Sequence, residues 1–324
     1  MEEFKVEIKT FENYIDNFIK NLNDNKVYDP IKYFLKLPSK RIRPLLTITA
    51  HSFYNDTADH AFSAALANEI FHNFTLVHDD VMDSSKIRRG SETVHVKWNL
   101  NQAILSGDAM QILAYKCLEV YESKIQKELT KVFNDTALKI CEGQQLDIEF
   151  EKNPNTHFTD YMKMIEFKTA VLLASSLQMG GLINNANEND LKLLYKIGLN
   201  MGLAFQIQDD YLDLFGEEKI IGKKIGADVL MNKKTVLYHI FKDSSTSKVL
   251  NDFNKIYKNS EIEDDIKIKK IRNIYVNNKV DLKCQGLVKK YSSICINSLD
   301  DLAISRNKKK NLEMICMKLL SRDY

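Results

Sequence analysis

Residues 65–83 read "ALANEIFHNFTLVHDDVMD". The stretch is mostly apolar, contains neither proline nor glycine, and closes on three aspartates. Nothing in it interrupts a helix. The carboxylates of Asp79 and Asp83, four apart, then project from one helical face, where like charges repel. A divalent cation removes the repulsion. Magnesium suits these donors, because it takes one or two carboxylates, keeps waters, and completes its shell with substrate phosphates. The D-D-x-x-D pattern returns in "FQIQDDYLD", where Asp209, Asp210 and Asp213 again end an apolar run. One such pair is as readily a solvated face as a site. Two copies, on helices that face each other in a bundle, would bring the carboxylates to one mouth.

The rest of the chain agrees with a helical reading. Its 324 residues hold only four prolines (Pro30, Pro38, Pro44 and Pro154) and eleven glycines, so long helices are free to run. Phe4, Ile8, Phe11, Ile15, Phe18, Ile19 and Leu22 step by three or four, a helical face. Helices are predicted near 2–23, 43–55, 58–81, 100–121, 124–151, 158–181, 188–216 and 232–242, with more toward the C-terminus. Breaks fall at "VYDPIKYFLKLPSK", "DSSKIRRGSETVH", "EKNPNTHF" and "FGEEKIIGKKIGAD". There is no alternating strand pattern of useful length and no Asn-Gly turn signal. The expectation is one all-α domain spanning 1–324, a bundle of long helices.

Bulk composition narrows the function. Forty-six basic against forty-four acidic residues give a formal charge of +2, which argues against nucleic acid as the main partner. Five cysteines without C-x-x-C spacing read as free thiols in a reducing compartment. The acidic N-terminus is no secretory signal, and no apolar run approaches the roughly 20 residues of a membrane span. A cytoplasmic protein is expected.

Just past the first acidic cluster, "KIRRG" places Arg88 and Arg89. Alone it is a basic surface turn. Beside metal-binding carboxylates it becomes a phosphate clamp, because the guanidinium fork matches phosphate oxygens. Paired D-D-x-x-D motifs, R-R-G after the first and F-Q-x-x-D-D-x-x-D for the second, resemble the trans-prenyltransferases, the polyprenyl diphosphate synthases. The likeness runs from about residue 36 to 240 and includes "SKRIRP", similar to that family's G-K-R-x-R-P.

The resemblance implies the isoprenoid synthase class I fold, with a deep central cavity, and a homodimer. It implies isopentenyl diphosphate bound by Lys40, Arg43, His72 and Arg89, and an allylic diphosphate approached by Arg88, Lys223 and Lys233. Up to three magnesium ions would be held by the two clusters, Asp79, Asp80 and Asp83 with Asp209, Asp210 and Asp213. Asp79, Asp83 and Asp209 would be the direct ligands. Lys168 and Thr169 in "EFKTA" and Gln206 in "FQ" would sit beside the reacting carbons, with Gln144 and Asp147 lining the same cavity. One departure stands out: Pro38 and Ser39 occupy the place of the family's Gly-Gly, and proline offers no backbone N–H.

The implied reaction is head-to-tail condensation. The allylic C–O bond breaks, the isopentenyl double bond attacks the cation, and a proton is lost. Members of the family with an aromatic five before the first aspartate, and none four before it, tend to make geranylgeranyl diphosphate. Here those positions are Phe74 and Thr75, with Phe71 deeper along the helix. Farnesyl diphosphate is the next product expected. Two other classes share features: a class I terpene cyclase, whose second metal motif differs from D-D-Y-L-D, and a non-catalytic regulatory subunit, which generally lacks the second cluster.

Overall fold

The computed structural model describes residues 2–153, 155–216 and 225–320. It is all-α apart from one minimal hairpin. In chain order the helices are α1 (Lys5–Asn21), α2 (Asp29–Leu35), α3 (Ile42–Ser52) and α4 (Asp59–Met82). Next come strands β1 (Ile87–Arg88) and β2 (Ser91–Glu92), then α5 (Val94–Lys97), α6 (Leu100–Leu118), α7 (Ser123–Lys152) and α8 (Phe158–Ile165). A π-helical turn, Glu166–Ala170, leads into α9 (Val171–Leu182) and α10 (Glu188–Phe215). The chain ends with α11 (Ala227–Leu230), α12 (Val236–Ser244), α13 (Ser247–Tyr257), α14 (Asp264–Asn277), α15 (Val280–Asp300) and α16 (Arg306–Leu320).

The chain divides into two compact units. The first comprises Met1–Asn134, Ser175–Leu194 and Ala303–Leu312. Its centre is α4, packed most extensively against α6 and next against α3. From Ala61 to Phe71 every residue of α4 is buried. Alanines at 61, 64, 65 and 67 give that run no side chain larger than a methyl at four positions, so neighbouring helices approach closely. The second unit comprises Asp135–Ala174, Tyr195–Leu302 and Glu313–Tyr324. Its core gathers Tyr238, Phe241, Phe253, Tyr257 and Tyr275, with Phe253 stacked on both Tyr257 and Tyr275. Around them α12 packs on α8 and α15, and α14 packs on α15.

Three local features differ from the sequence expectations. The break expected at "VYDPIKYFLKLPSK" contains helix α2, because Pro30 falls in its first turn, where no backbone N–H is needed. Pro30, Ile31, Phe34 and Leu35 of that helix are buried. The loop expected to be irregular holds the β1–β2 hairpin, whose two-residue strands are too short to show a period of two. Finally, the helix expected over 158–181 is not uniform. A β-carbon on Gly143 of α7 would lie 2.4 Å from the Lys168 nitrogen, and one on Gly202 of α10 would lie 2.5 Å from the Ala170 α-carbon. Two helices thus press directly on the backbone of Glu166–Ala170, where the ladder widens into a π turn, a feature frequent at functional sites.

Candidate active site

In the first unit the acidic cluster sits where α4 stops. Asp83 N–H donates to the Asp79 carbonyl at 2.8 Å, Ser84 turns left-handed (φ 53°), and Ser85 N–H returns to the Asp80 carbonyl at 2.9 Å. The chain then makes a two-residue hairpin turn whose central residues, Arg89 (φ 54°) and Gly90 (φ 75°), both have positive φ. Such a turn matches the natural twist of its strands. It also splits the paired arginines. Arg88 Nε and Nη2 donate to Asp80 Oδ1 at 2.9 and 2.6 Å, and Nη2 lies 3.8 Å from Asp79 Oδ2. Asp80 is 1% exposed, whereas Asp79 is half-buried and Asp83 exposed. Burial raises the Asp80 pKa despite the Arg88 hydrogen bonds. Burial alone would lower Arg88, but its bonds to Asp80 and the charges of Asp80, Asp79 and Asp83 outweigh this and raise it.

Arg89 belongs to a different group. Its Cζ lies 5.6 Å from the centroid of the Phe34 ring, and its Nη1 is buried without a hydrogen-bond partner among the described residues. Arg43 Nε is in the same condition. Burial lowers both arginines, Arg43 to about 10, with Glu69 opposing and Arg89 and Arg41 among the positive charges that reinforce the effect. His72 feels the same crowd. Burial holds it well below the ordinary histidine value, and Arg43, Arg89, Arg88 and Arg41 push it further down. Guanidinium groups that destabilise one another's charge, with buried donors unfilled among the described residues, are chemically suited to the oxygens of a polyanion.

Arg41, given no role by the sequence motif, fixes this group. It is buried in a left-handed conformation (φ 48°) and donates to Glu69 Oε1 and to the Leu35 carbonyl, both at 2.6 Å. Glu69 is 1% exposed and also accepts from Asn73 at 3.3 Å. The available signal was a lone glutamate inside an apolar helix. Ser39, in the place of a family glycine, accepts the Arg41 N–H on its hydroxyl at 3.3 Å, so the loop is braced by a side chain. Lys40 is exposed beside it.

The second unit contains a cavity of about 550 Å³. Asp147, Lys168, Thr169, Gln206, Asp209 and Lys233 are among its lining residues. Lys168 Nζ donates to Asp147 Oδ2 at 2.6 Å, Thr169 Oγ1 donates to Gln206 Oε1 at 3.2 Å, and Gln206 Nε2 donates to Asp210 Oδ1 at 3.1 Å. Asp210 Oδ2 accepts from Val236 N–H at 3.0 Å and from the Tyr161 hydroxyl. Burial pushes Asp210 up to about 7, against the pull of those donors. Asp213 is buried as well and accepts from Asp228 N–H at 3.0 Å, while Asp209 is half-buried.

The segment that follows is bolted down. Lys233 N–H donates to the Asp228 carbonyl at 2.9 Å, and Tyr257 hydroxyl donates to the Lys233 carbonyl at 2.5 Å. Lys234 Nζ bonds the carbonyls of Phe150 and Asn153, at 2.6 and 2.7 Å, at the end of α7. Gln144 lies one turn before Asp147 on α7 and outside the cavity lining. Lys223 lies outside the described residues.

The donors fit magnesium. Among the described residues no three His, Cys, Asp or Glu side chains form a ready-made cage. A magnesium site needs none, since one or two carboxylates suffice when phosphate oxygens and waters complete the shell. The carboxylate pair at the end of α4 is of that kind. Deeper in α4, Phe74 lies between Phe71 (5.4 Å between centroids) and His78 (4.8 Å), and Phe71 meets Phe133 edge-on at 5.0 Å. Thr75 bonds back to the His72 carbonyl at 2.8 Å.

Comparison with known proteins converges on one group. A model of the polyprenyl synthetase family matches residues 24–275. The chain is 37% identical over 276 residues to the short chain isoprenyl diphosphate synthase of Methanocaldococcus jannaschii, covering 83% of this chain and 81% of that protein. It is 36% identical over 300 residues to the geranylgeranyl diphosphate synthase of Saccharolobus solfataricus, covering 90% and 88%. A crystal structure of a geranylgeranyl pyrophosphate synthase matches with a TM-score of 0.94 at 37% identity, over 99% of each chain.

Proposed function

The chain belongs to the polyprenyl synthetase family, and from that premise we propose that it is a prenyltransferase condensing isopentenyl diphosphate with an allylic diphosphate to give geranylgeranyl diphosphate. Its fold is that of the all-α isoprenoid synthases. The observation that carries the reading is the arginine group around His72, with the buried donors Arg43 Nε and Arg89 Nη1 unfilled. A diphosphate supplies the acceptors they lack.

In this reading Lys40, Arg43 and Arg89 hold the diphosphate of isopentenyl diphosphate. Neutral His72 donates a hydrogen bond without adding charge. Asp79, Asp83 and Asp209 would hold magnesium, and Lys168, Lys233 and Arg88 would bind the allylic diphosphate, with Lys223 assigned there on the resemblance alone. Magnesium, when bound, offsets the charge that builds on the leaving diphosphate. As the allylic C–O bond breaks, the Lys and Arg side chains stabilise the departing oxygens. Thr169 and Gln206 offer the cation dipoles that are weak nucleophiles, the isopentenyl double bond attacks it, and the released diphosphate takes the proton. Asp80, Asp210 and Asp213 act as braces for their neighbours, and Asp147 pairs with Lys168, with Gln144 one turn before Asp147 on α7. We assign residues 1–324 to one prenyl diphosphate synthase domain, a reading supported by the family match over residues 24–275.

Product length follows from α4. Phe74 stands five residues before Asp79 and Phe71 eight, about 7 and 12 Å along the helix at ~1.5 Å per residue. Phe74, wedged between two rings, is the side chain that stops a growing tail at twenty carbons. Incubating the purified protein with magnesium, isopentenyl diphosphate and each allylic diphosphate, with product masses read directly, tests both activity and length. The expected product is twenty carbons long, and F74A is expected to lengthen it; an unchanged length in F74A would sink the role of Phe74. A cyclase would instead release hydrocarbon from the allylic substrate alone, and a regulatory subunit would give no product alone.

A second copy of the chain is the partner we assign. Leu100 (52%), Ile104 (43%), Leu105 (56%) and Ile112 (62%) on α6 are exposed, an apolar area that a homodimer would cover. I112D should shift the mass measured by light scattering toward the monomer. Among the described residues no helix is long and apolar enough to cross a membrane. Five cysteines that remain thiols support a reducing, cytoplasmic setting.

A further inference from the structure

Behind Thr169 and Gln206 lies a chain of hydrogen bonds with a single direction. Thr169 on the π turn donates to Gln206 Oε1 (3.2 Å), Gln206 Nε2 donates to Asp210 Oδ1 (3.1 Å), and Tyr161 of α8 donates to Asp210 Oδ2 from the far side. The first helical N–H of α12, on Val236, completes the set at 3.0 Å. Among the described residues all three groups that reach Asp210 are donors, so its carboxylate is the sink of the chain. The amide of Gln206 therefore has one allowed orientation. Turned over, its oxygen would face Asp210 Oδ1, acceptor against acceptor, so the bond to Asp210 would be lost and the amide nitrogen would instead donate to the Thr169 hydroxyl, freeing its proton.

That orientation reaches the cavity. With the Gln206 oxygen turned to Thr169, the Thr169 proton is committed to it. Thr169 lines the cavity, and its hydroxyl then has lone pairs and no proton to offer there. Oriented lone pairs in a buried site stabilise developing positive charge and need no reorganisation when it forms. Tyr161 is what keeps the chain anchored. It is 3% exposed, and its ring is held against His239, a fully buried histidine, at 5.4 Å between centroids.

We propose that Tyr161 is a positioning residue for the condensation: by anchoring Asp210 it fixes the Gln206 amide and so aims the Thr169 lone pairs into the cavity. The inference rests on the prenyltransferase reading and adds a residue that the motifs do not contain.

The test is a double-mutant cycle in the full-length enzyme with Y161F, T169V and the pair. A positioning role predicts that Y161F lowers kcat roughly 10- to 50-fold while KM for both diphosphates stays within about twofold. The double variant should be no slower than T169V alone, because both changes remove one effect. Calorimetric binding of inorganic diphosphate with magnesium should remain within about twofold of wild type, since no group that binds it is changed. Independent, multiplying effects of the two substitutions would overturn the proposal, and so would an unchanged kcat in Y161F. Loss of diphosphate binding in Y161F would also overturn it, by assigning Tyr161 to the binding apparatus. Should Y161F fail to fold, D210N replaces it in the same cycle, because its amide nitrogen opposes the Gln206 nitrogen and releases the same orientation. Failure of the prenyltransferase reading would look different: wild type itself would form no condensation product.

Discussion

The two D-D-x-x-D segments are identical in pattern and opposite in treatment. In the first, the middle carboxylate, Asp80, is met by a cation, Arg88. In the second, the equivalent Asp210 is met, among the described residues, by three neutral donors, from Tyr161, Gln206 and Val236. The last positions diverge further. Asp83 is exposed at the end of its helix, whereas Asp213 is buried and accepts from Asp228 N–H. Spacing sets which carboxylates share a helical face, but neighbours decide which of them a metal can reach. The first unit thus offers two accessible carboxylates, Asp79 and Asp83, and the second offers Asp209.

The contrast is broken most directly at the leading aspartates. D79A and D209A are each expected to lower kcat by about 10³-fold or more, the scale of removing charge stabilisation at a leaving group. Their melting temperatures should stay near wild type. The fifth positions should separate. D83N is expected to reduce activity at unchanged stability, while D213N should cost about 1–3 kcal/mol by disturbing a buried hydrogen bond. Thermal melts beside initial rates decide it, and equal behaviour of D83N and D213N would erase the difference between the two segments.

Both the helical class and the two clusters were legible in the sequence, because apolar periodicity and i, i+4 carboxylates are local signals. Helix α4 was expected over 58–81 and runs Asp59–Met82. What was not legible depends on distant neighbours. The π turn at Glu166–Ala170 arises beside the close approach of Gly143 and Gly202, residues far from it in the chain. Tyr161 and Arg41 look like ordinary core or surface letters until their partners are known, and Glu69 shows only as a lone carboxylate in an apolar helix. The left-handed Arg89 carries no local signature either, since an Arg-Gly pair is a poor advertisement for a primed hairpin turn.

Histidines extend the comparison between the units. His239 in the second unit is fully buried, and burial lowers it to about 4, with Lys242 and Lys234 pushing the same way and Asp160 opposing. Its folded value lies below the ordinary 6.5, so between those limits the unfolded chain takes up a proton that the folded one refuses. Stability should therefore fall as pH drops from about 6.5 to about 4, by about 3 kcal/mol from this residue, and should be unaffected by it above pH 7. H239F, which keeps a ring against Tyr161, should flatten that acid slope in denaturant melts taken between pH 7 and 4.5. An unchanged slope would show that other groups account for the acid sensitivity.

His72 in the first unit is kept neutral by burial among arginines, and the smallest effect is expected there. In the proposed reading a neutral imidazole would contribute one hydrogen bond to the diphosphate, whereas Arg43 and Arg89 would contribute full charge. Glutamine keeps a neutral donor at the same place, so H72Q should raise KM for isopentenyl diphosphate only about 2- to 10-fold, the scale of one hydrogen bond, with kcat little changed. R43Q should raise it far more, because the guanidinium beside the unfilled donors carries the attraction. Lowering the pH from 8 to 6.5 should not tighten isopentenyl diphosphate binding in wild type through His72, since the residue stays unprotonated across that range. Tighter binding on acidification that disappears in H72Q would mean that the histidine gains its proton there, and that the arginines around it sit farther away than their electrostatic effect on it implies.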